Sequence, residues 1–431
     1  MYNNSKPSGN QDPSLLRRIR NEFEFLRGDY LLLLIGALFI DASLEMAYTY
    51  YPLFFQAIGG SAATMGLLAS IGMMIQAFTM IPGGYLADRY SKKLIITVGT
   101  VGTAVAYLYF IFAPSWEVLI FGVALRSVCN IYAPAYNAVI MDIIPPERRG
   151  TGYSVLNLIT RVSTTPTPMI AGILYSSYGL VNGTRYGFTV VFASYILAGI
   201  LRSRIKEALD DADRPTLGAV RESFKGLEML KDGFGAWRQI SRNAVNLLVL
   251  QMLFWITFMM YSGVSKFFIT QDLNIDPIHF STLFSVVGIS NIVFTLPVGK
   301  VIDKYGKKWP MVASLAIYVT ALLMIYTGDL TRLYVSLPLC GLGYITFNTA
   351  SSTFWADLIA QEYRGRIIGT KSFMEIIAVS IGLVSGGLIY DYVSHSLPIQ
   401  IAITSCGLLV IAFIFLIEEP ESEATTVLLQ S

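Results

Sequence analysis

Seven ionisable side chains stand inside long apolar stretches of this sequence: Asp41, Glu45, Arg126, Arg161, Lys266, Lys371 and Glu375. At the centre of a lipid-facing helix each costs about 2.5–3.5 kcal/mol, so seven left unpaired would cost on the order of 20 kcal/mol. They must pair or face water. Asp41 and Glu45 are four residues apart, as are Lys371 and Glu375, so each couple lies on one helix face. Two acids that close do not both stay ionised without a nearby cation, which makes one of them a candidate proton carrier. Arg126, permanently protonated, is the natural partner. The competing explanation is structural, since buried ion pairs also hold helices together, and Lys371 with Glu375 suits that role.

The elements that position these charges are membrane helices. The chain is 54% hydrophobic and 14% charged, against roughly 45–50% and 25% in an ordinary soluble domain. Apolar runs near 20 residues, the length that spans a bilayer core, recur at approximately 30–55, 62–86, 93–113, 117–141, 151–177, 186–203, 244–270, 279–301, 309–327, 333–357, 367–390 and 396–417. The organisation expected is a tail over 1–28, six helices over 29–203, a linker over 204–243, six more over 244–417 and an acidic, disordered tail over 418–431. Within the linker, Val220, Phe224, Leu227, Leu230 and Phe234 recur at helical spacing, which predicts an amphipathic helix at the membrane surface.

Lys and Arg are distributed unevenly among the loops. The N-terminal tail and the even-to-odd connections together hold twenty-five, whereas the other side has only Arg185 and Arg332. That asymmetry predicts both termini in the cytoplasm. Cys129, Cys340 and Cys406 lie within expected spans and give no disulfide framework. With only His279 and His395, no metal-ligand set and no nucleophile with its base, the sequence does not read as an enzyme. No phosphate-binding G-x-x-x-x-G-K loop is present either, which disfavours an ATP-driven pump.

A motif is written twice. In "IPGGYLADRYSKK" and "TLPVGKVIDKYGKK", Gly84, Asp88 and Lys92 precede Gly299, Asp303 and Lys307 by 215 residues each, and the same offset carries Asp142 to Asp357 and Arg149 to Arg364. The chain therefore reads as two homologous halves.

Two six-helix halves with this motif after the second and eighth spans closely resemble the major facilitator superfamily of secondary transporters. The family's G-x-L-A-D-R-x-G-R-K signature is matched by "GYLADRYSKK", with Ser91 for Gly and Lys92 for Arg, and by "GKVIDKYGKK", with Lys304 for Arg. The resemblance implies an all-α integral membrane fold, two pseudo-symmetric bundles around a central cavity. It further implies a cytoplasmic gate made of Gly84, Asp88, Arg89, Lys92, Asp142 and Arg149 in one half, and of Gly299, Asp303, Lys304, Lys307, Asp357 and Arg364 in the other. There the acids meet the positive ends of neighbouring helices, and the basic clusters pair with Asp142 and Asp357. Alternating access around a midplane site is the expected motion. Arg126 also resembles the arginine of the drug/proton antiporter signature R-x-x-x-G, with Asn130 in place of the glycine.

The function expected is secondary active transport of a small organic solute, by proton-coupled export through Asp41, Glu45 and Arg126. Tyr48, Asn130, Asn137, Arg161, Lys266, Tyr344, Asn348 and Glu375 are the candidate cavity lining. A proton-coupled importer of sugars, organic acids or peptides, and a non-transporting sensor, are the alternatives. The partners expected are the solute, protons and the bilayer of the plasma membrane. No cofactor, metal, nucleic acid or obligatory protein partner is expected, and a monomer contains a complete pathway.

Overall fold

The computed structural model describes residues 28–144, 149–206, 237, 240–359 and 364–419. The tail 1–27, the linker's expected amphipathic helix and the acidic tail from 420 lie outside the described residues, as do the side chains of Arg149 and Arg364. Among the described residues every regular element is helical.

Ten helical stretches among the described residues are long and apolar enough to cross a membrane. The longest, Val155–Arg202, contains both the fifth and the sixth expected crossings, divided at Gly179, whose φ of 76° and ψ of 171° break the helix. The tenth crossing, Leu330–Leu358, has 29 residues and the necessary length, but Thr346, Asn348, Thr349, Ser351 and Thr353 make it too polar to count by composition. With those two adjustments the twelve expected crossings are accounted for.

Several helices are interrupted where the sequence supplies a proline or a change of backbone. The first crossing is a helix over Asp29–Thr49, a bend at Tyr50, and a short helix over Tyr51–Ala57 with Pro52 in its first turn. Proline is tolerated there because the first-turn N–H has no helical acceptor. The fourth crossing, Val118–Cys129 continuing as Ala133–Ile143, is broken by a tight turn over Asn130–Tyr132 just before Pro134.

The two copies of the repeated motif make the same turn by different means. Ser91 ends the first copy and caps the third helix, Lys92–Phe112, its hydroxyl accepting from Leu94 N at 3.2 Å. Its counterpart Gly306 adopts φ 77°, a conformation only glycine takes without strain. The serine replaces a backbone device with a side-chain cap, so the departure from the family signature keeps the corner. Glu419 sits against Gly306, accepting from Lys307 N at 2.6 Å (measured to Oε1) and from Lys308 N at 2.7 Å (to Oε2). The start of the acidic tail, expected to be disordered, is thus held at the ninth helix's N-terminus, where a carboxylate is electrostatically favoured.

Each half has an aromatic-rich core: Phe54, Tyr107, Phe110 and Phe188 in the first, and Phe254, Phe347, Phe354 and Phe413 in the second. Outward-facing side chains such as Phe112, Phe121, Leu408 and Phe415 are apolar and exposed, as a lipid-facing surface requires. A third cluster joins the halves, bringing Met46, Tyr50, Ala62 and Ala171 together with Tyr261, Phe267, Phe280 and Tyr390. All of it lies at the end opposite the repeated motif, hereafter the far end.

Candidate functional site

The main cavity has a volume of about 620 Å³ and is lined by Asp41, Glu45, Tyr48, Arg126, Asn157, Thr160 and Arg161, among others. Three interrupted crossings, the first, fourth and fifth, supply these side chains. Asp41 and Glu45 share a face, as their spacing predicts. The Asp41 carboxylate accepts from Thr160 Oγ1 at 3.1 Å, which ties the first helix to Arg149–Thr164. A second cavity of about 350 Å³ adjoins it through Asp41, Leu44, Asn157 and Thr160, and extends to Asn130, Tyr136, Asn137 and Arg202.

The charge pairing differs from the sequence expectation. Among the described residues Arg126 makes no ion pair with Asp41 or Glu45, and its Nε has no hydrogen-bond partner. It faces aromatic groups, with the guanidinium 6.0 Å from the Tyr48 ring centroid and Tyr107 within electrostatic reach. Arg202 shares the adjoining cavity with Asp41 instead. Arg202 ends the sixth crossing, the position of a loop charge. It is instead buried, donating from Nη1 to Thr100 Oγ1 at 2.6 Å and stacking over the Tyr136 ring at 4.6 Å.

In the second half, Lys371 and Glu375 form the expected same-helix pair at 2.8 Å. Glu375 Oε1 also accepts from Gln251 Nε2 at 2.6 Å and Trp255 Nε1 at 3.3 Å, while Gln251 accepts from Trp355 Nε1 at 2.7 Å. One oxygen of this carboxylate is held entirely by its own bundle, which fits a structural pair. Tyr344 stacks on Phe258 with centroids 5.2 Å apart, and Asn348 lies one turn further along the same helix.

At the far end the halves are joined through helix termini. Lys266 Nζ donates to the carbonyls of Tyr48 at 2.8 Å and Thr49 at 3.3 Å, the last of the first helix. It therefore turns inward to the partner bundle rather than reaching out to the membrane surface. The Asp391 carboxylate accepts from Ala63 N at 2.7 Å, in the first turn of the second helix, Ala62–Arg89. A cation on a C-terminus and an anion on an N-terminus both match the helix dipole. Deeper along the two helices that carry Ala63 and Asp391, Ser70 Oγ donates to Ser380 O at 2.9 Å. The second and eleventh helices cross here at backbone distance: a Cβ on Gly66 would strike Leu383 O, and one on Gly387 would strike Ala62 O.

The repeated motif lies at the other end. Lys92 pairs with Asp142 at 2.7 Å, and Lys307 pairs with Asp357, each inside its own half. Asp88 and Asp303 are exposed and make no ion pair among the described residues. Lys304 lies 5.0 Å from the Tyr305 ring and Arg89 4.5 Å from that of Tyr85. A Cβ added to Gly84 or Gly299 would meet nothing within 4 Å, so both motif glycines border open space. Arg149 and Arg364 open their helices, but their side chains lie outside the described residues.

Two helical bundles of this apolarity, joined at one end and with a charged cavity in the first, have the build of an integral membrane transporter. The sequence profile of the Major Facilitator Superfamily matches residues 33–268 and 247–428, and the chain belongs to that family. It is similar to macrolide efflux protein A of Streptococcus pyogenes, 23% identical over 379 residues covering 82% of this chain and 87% of that protein. A Na(+), Li(+), K(+)/H(+) antiporter of Planococcus maritimus is 27% identical over 182 residues, a match spanning 41% of this chain and 42% of the antiporter. Among solved structures, the nucleoside transporter NupG superposes with a TM-score of 0.73 at 16% identity, covering 91% of this chain and 100% of that one. A peptide transporter in complex with sulfate gives 0.69 at 14% identity, covering 90% and 93%. These relatives and this fold are those of transporters, not enzymes.

Proposed function

We propose that the protein exports small organic solutes in exchange for protons, by alternating access of the bundles 29–203 and 244–417 about the linker 204–243. The observation that carries this reading is the cavity in which Asp41, Glu45, Arg126 and Arg161 meet, with Asp41 held by Thr160. An acid in a membrane cavity, fixed by one hydroxyl and close to permanent cations, is suited to binding and releasing a proton. The matches to efflux proteins and to a proton antiporter support export and exchange.

The loop charges orient the repeated motif and both termini toward the cytoplasm of the plasma membrane. The far-end seam then closes the outside, and the cavity is loaded from within. Transition to the opposite state breaks the Lys266 and Asp391 contacts and brings Asp88 and Asp303 to the N-terminal ends of helices in the opposite bundle, near Arg364 and Arg149. Lys92–Asp142 and Lys307–Asp357 stay intact as each bundle moves as a body. One chain is sufficient for the cycle.

The test is reconstitution into proteoliposomes with a pH-sensitive dye inside. Macrolides, nucleosides, peptides and organic acids are added in turn under an imposed proton gradient. Proton movement evoked by one of these classes, and lost in Asp41→Asn, is the expected result. Solute flux that ignores the gradient in both proteins would reduce the reading to facilitated transport.

A further inference from the structure

We infer that the transported solute carries an anionic group, and that Arg126, supported by Arg161, receives it. The inference rests on the transport-site reading above and specifies the chemistry of that site.

Charges of both signs face the two adjoining cavities. The first half contributes Asp41, Glu45, Arg126, Arg161 and Arg202, and Lys266 approaches from the second half. Lys371 and Glu375 cancel each other at 2.8 Å. Three cations therefore line these cavities against two acids, with Lys266 tied to the Tyr48 carbonyl outside the lining. Arg202 lies along the cavity that Asp41 shares, and its guanidinium is already fixed by Thr100 and the Tyr136 ring. Lys266 is bound to the Tyr48 and Thr49 carbonyls. Neither Arg126 nor Arg161 makes an ion pair among the described residues, and the cavity lining carries one more cation than acids.

Arg126 is the more demanding of the two. Its Nε lacks any hydrogen-bond partner, it makes no ion pair among the described residues, and Tyr48 offers it a ring face at 6.0 Å. A permanent cation in a membrane interior is expensive unless an anion reaches it. Its planar fork of donors matches a carboxylate or phosphonate in two-point contact. Arg161 lines the same 620 Å³ space, which is large enough for a drug-sized molecule and not merely an ion. Tyr48, adjoining Arg126, supplies an aromatic surface for the rest of the solute.

The experiment uses the purified full-length chain in detergent and follows its thermal unfolding. The probes are phenylacetate, salicylate and N-acetylphenylalanine, each beside its own amide, together with the lipophilic cation tetraphenylphosphonium. The acids are expected to stabilise the protein at concentrations at least tenfold below those their amides require. Arg126→Gln is expected to abolish the difference, and Arg126→Lys to retain part of it, since lysine keeps the charge and loses the fork. Arg161→Gln, at an exposed position, provides a second variant if Arg126→Gln fails to fold, and is expected to weaken the acids several-fold.

Acids and amides binding alike, or acid binding unchanged in both glutamine variants, would overturn the inference. So would stabilisation by tetraphenylphosphonium alone, which would leave an exporter of cations. If no acid binds the wild type, the inference falls, and the proton-flux assay on the same preparation shows whether the transport reading falls with it.

Discussion

Gln56 and Gln271 are counterparts under the 215-residue repeat, and they hydrogen-bond to each other. Two residues related by a pseudo-twofold can touch only where the axis passes between them. That axis therefore leaves the molecule through the far-end seam, beside Lys266 and the first helix's C-terminus. A contact on the axis is broken symmetrically when the bundles rock. Gln56→Cys with Gln271→Cys is accordingly expected to cross-link under mild oxidation and stop transport, with activity returning on reduction. Cross-linking that leaves flux intact would show that this end need not open.

Lys266→Met removes a charge-assisted contact across the seam, a change of about 1.5–3 kcal/mol in favour of far-end opening. Labelling of a cysteine placed at Tyr50 by an impermeant reagent should accelerate. Unchanged labelling would assign the closed seam to the apolar cluster around Tyr50 and Phe280 rather than to the lysine.

Asp391→Ala takes the acceptor from Ala63 N, at a cost of about 1 kcal/mol typical of a helix N-terminal cap. Because Lys266 and Asp391 act on different helices of the same seam, their effects on labelling should add within about 0.5 kcal/mol. A double-mutant cycle measures that, and a larger coupling would mean the two contacts release together.

The motif glycines permit a test of the other state. Gly84→Ala and Gly299→Ala meet no atom within 4 Å, so thermal stability should change by no more than about 0.5 kcal/mol. Transport should nonetheless fall, because a Cβ at either position obstructs closure at the motif end. Full activity in both variants would show that the bundles do not approach one another there.

Lys92–Asp142 is largely solvent-exposed, with side-chain exposures of 29% and 58%. Pairs of that kind contribute about 0–1 kcal/mol. Asp142→Asn should leave the melting temperature nearly unchanged while slowing turnover, with little added penalty when Lys92→Gln is introduced. A large loss of stability would make the pair a fold determinant rather than a fixed part of a moving body.

The repeat, the helical crossings and the shared face of Asp41 and Glu45 are legible in the chain because each depends on periodicity along one helix. Pairing between helices within the membrane is not, whereas the resemblance does imply Lys92–Asp142 and Lys307–Asp357. Arg202 looks like a loop charge, since nothing in its neighbours shows that the sixth crossing turns it toward Thr100 and Tyr136. Thr160 and Asn157 are indistinguishable in sequence from other polar residues of a membrane helix, and only the approach of the first helix brings them to Asp41. Asp391 follows a tyrosine near a helix end and resembles an interfacial residue, yet its acceptor role depends on Ala63, 328 positions away. The one signal that was available lies in the small residues: Gly66 and Gly387 mark where the second and eleventh helices meet closely enough to carry the seam.

The polar composition of Leu330–Leu358 also bears on how the protein enters the bilayer. A segment with Thr, Asn and Ser along its length partitions weakly from the translocon into lipid. Its neighbour Lys308–Tyr326 is strongly apolar and packs along it. Exit of the two from the channel as a hairpin, the ninth crossing carrying the tenth, is the route this pairing favours. Biogenesis of the second half is then sensitive to substitutions that never face the solute.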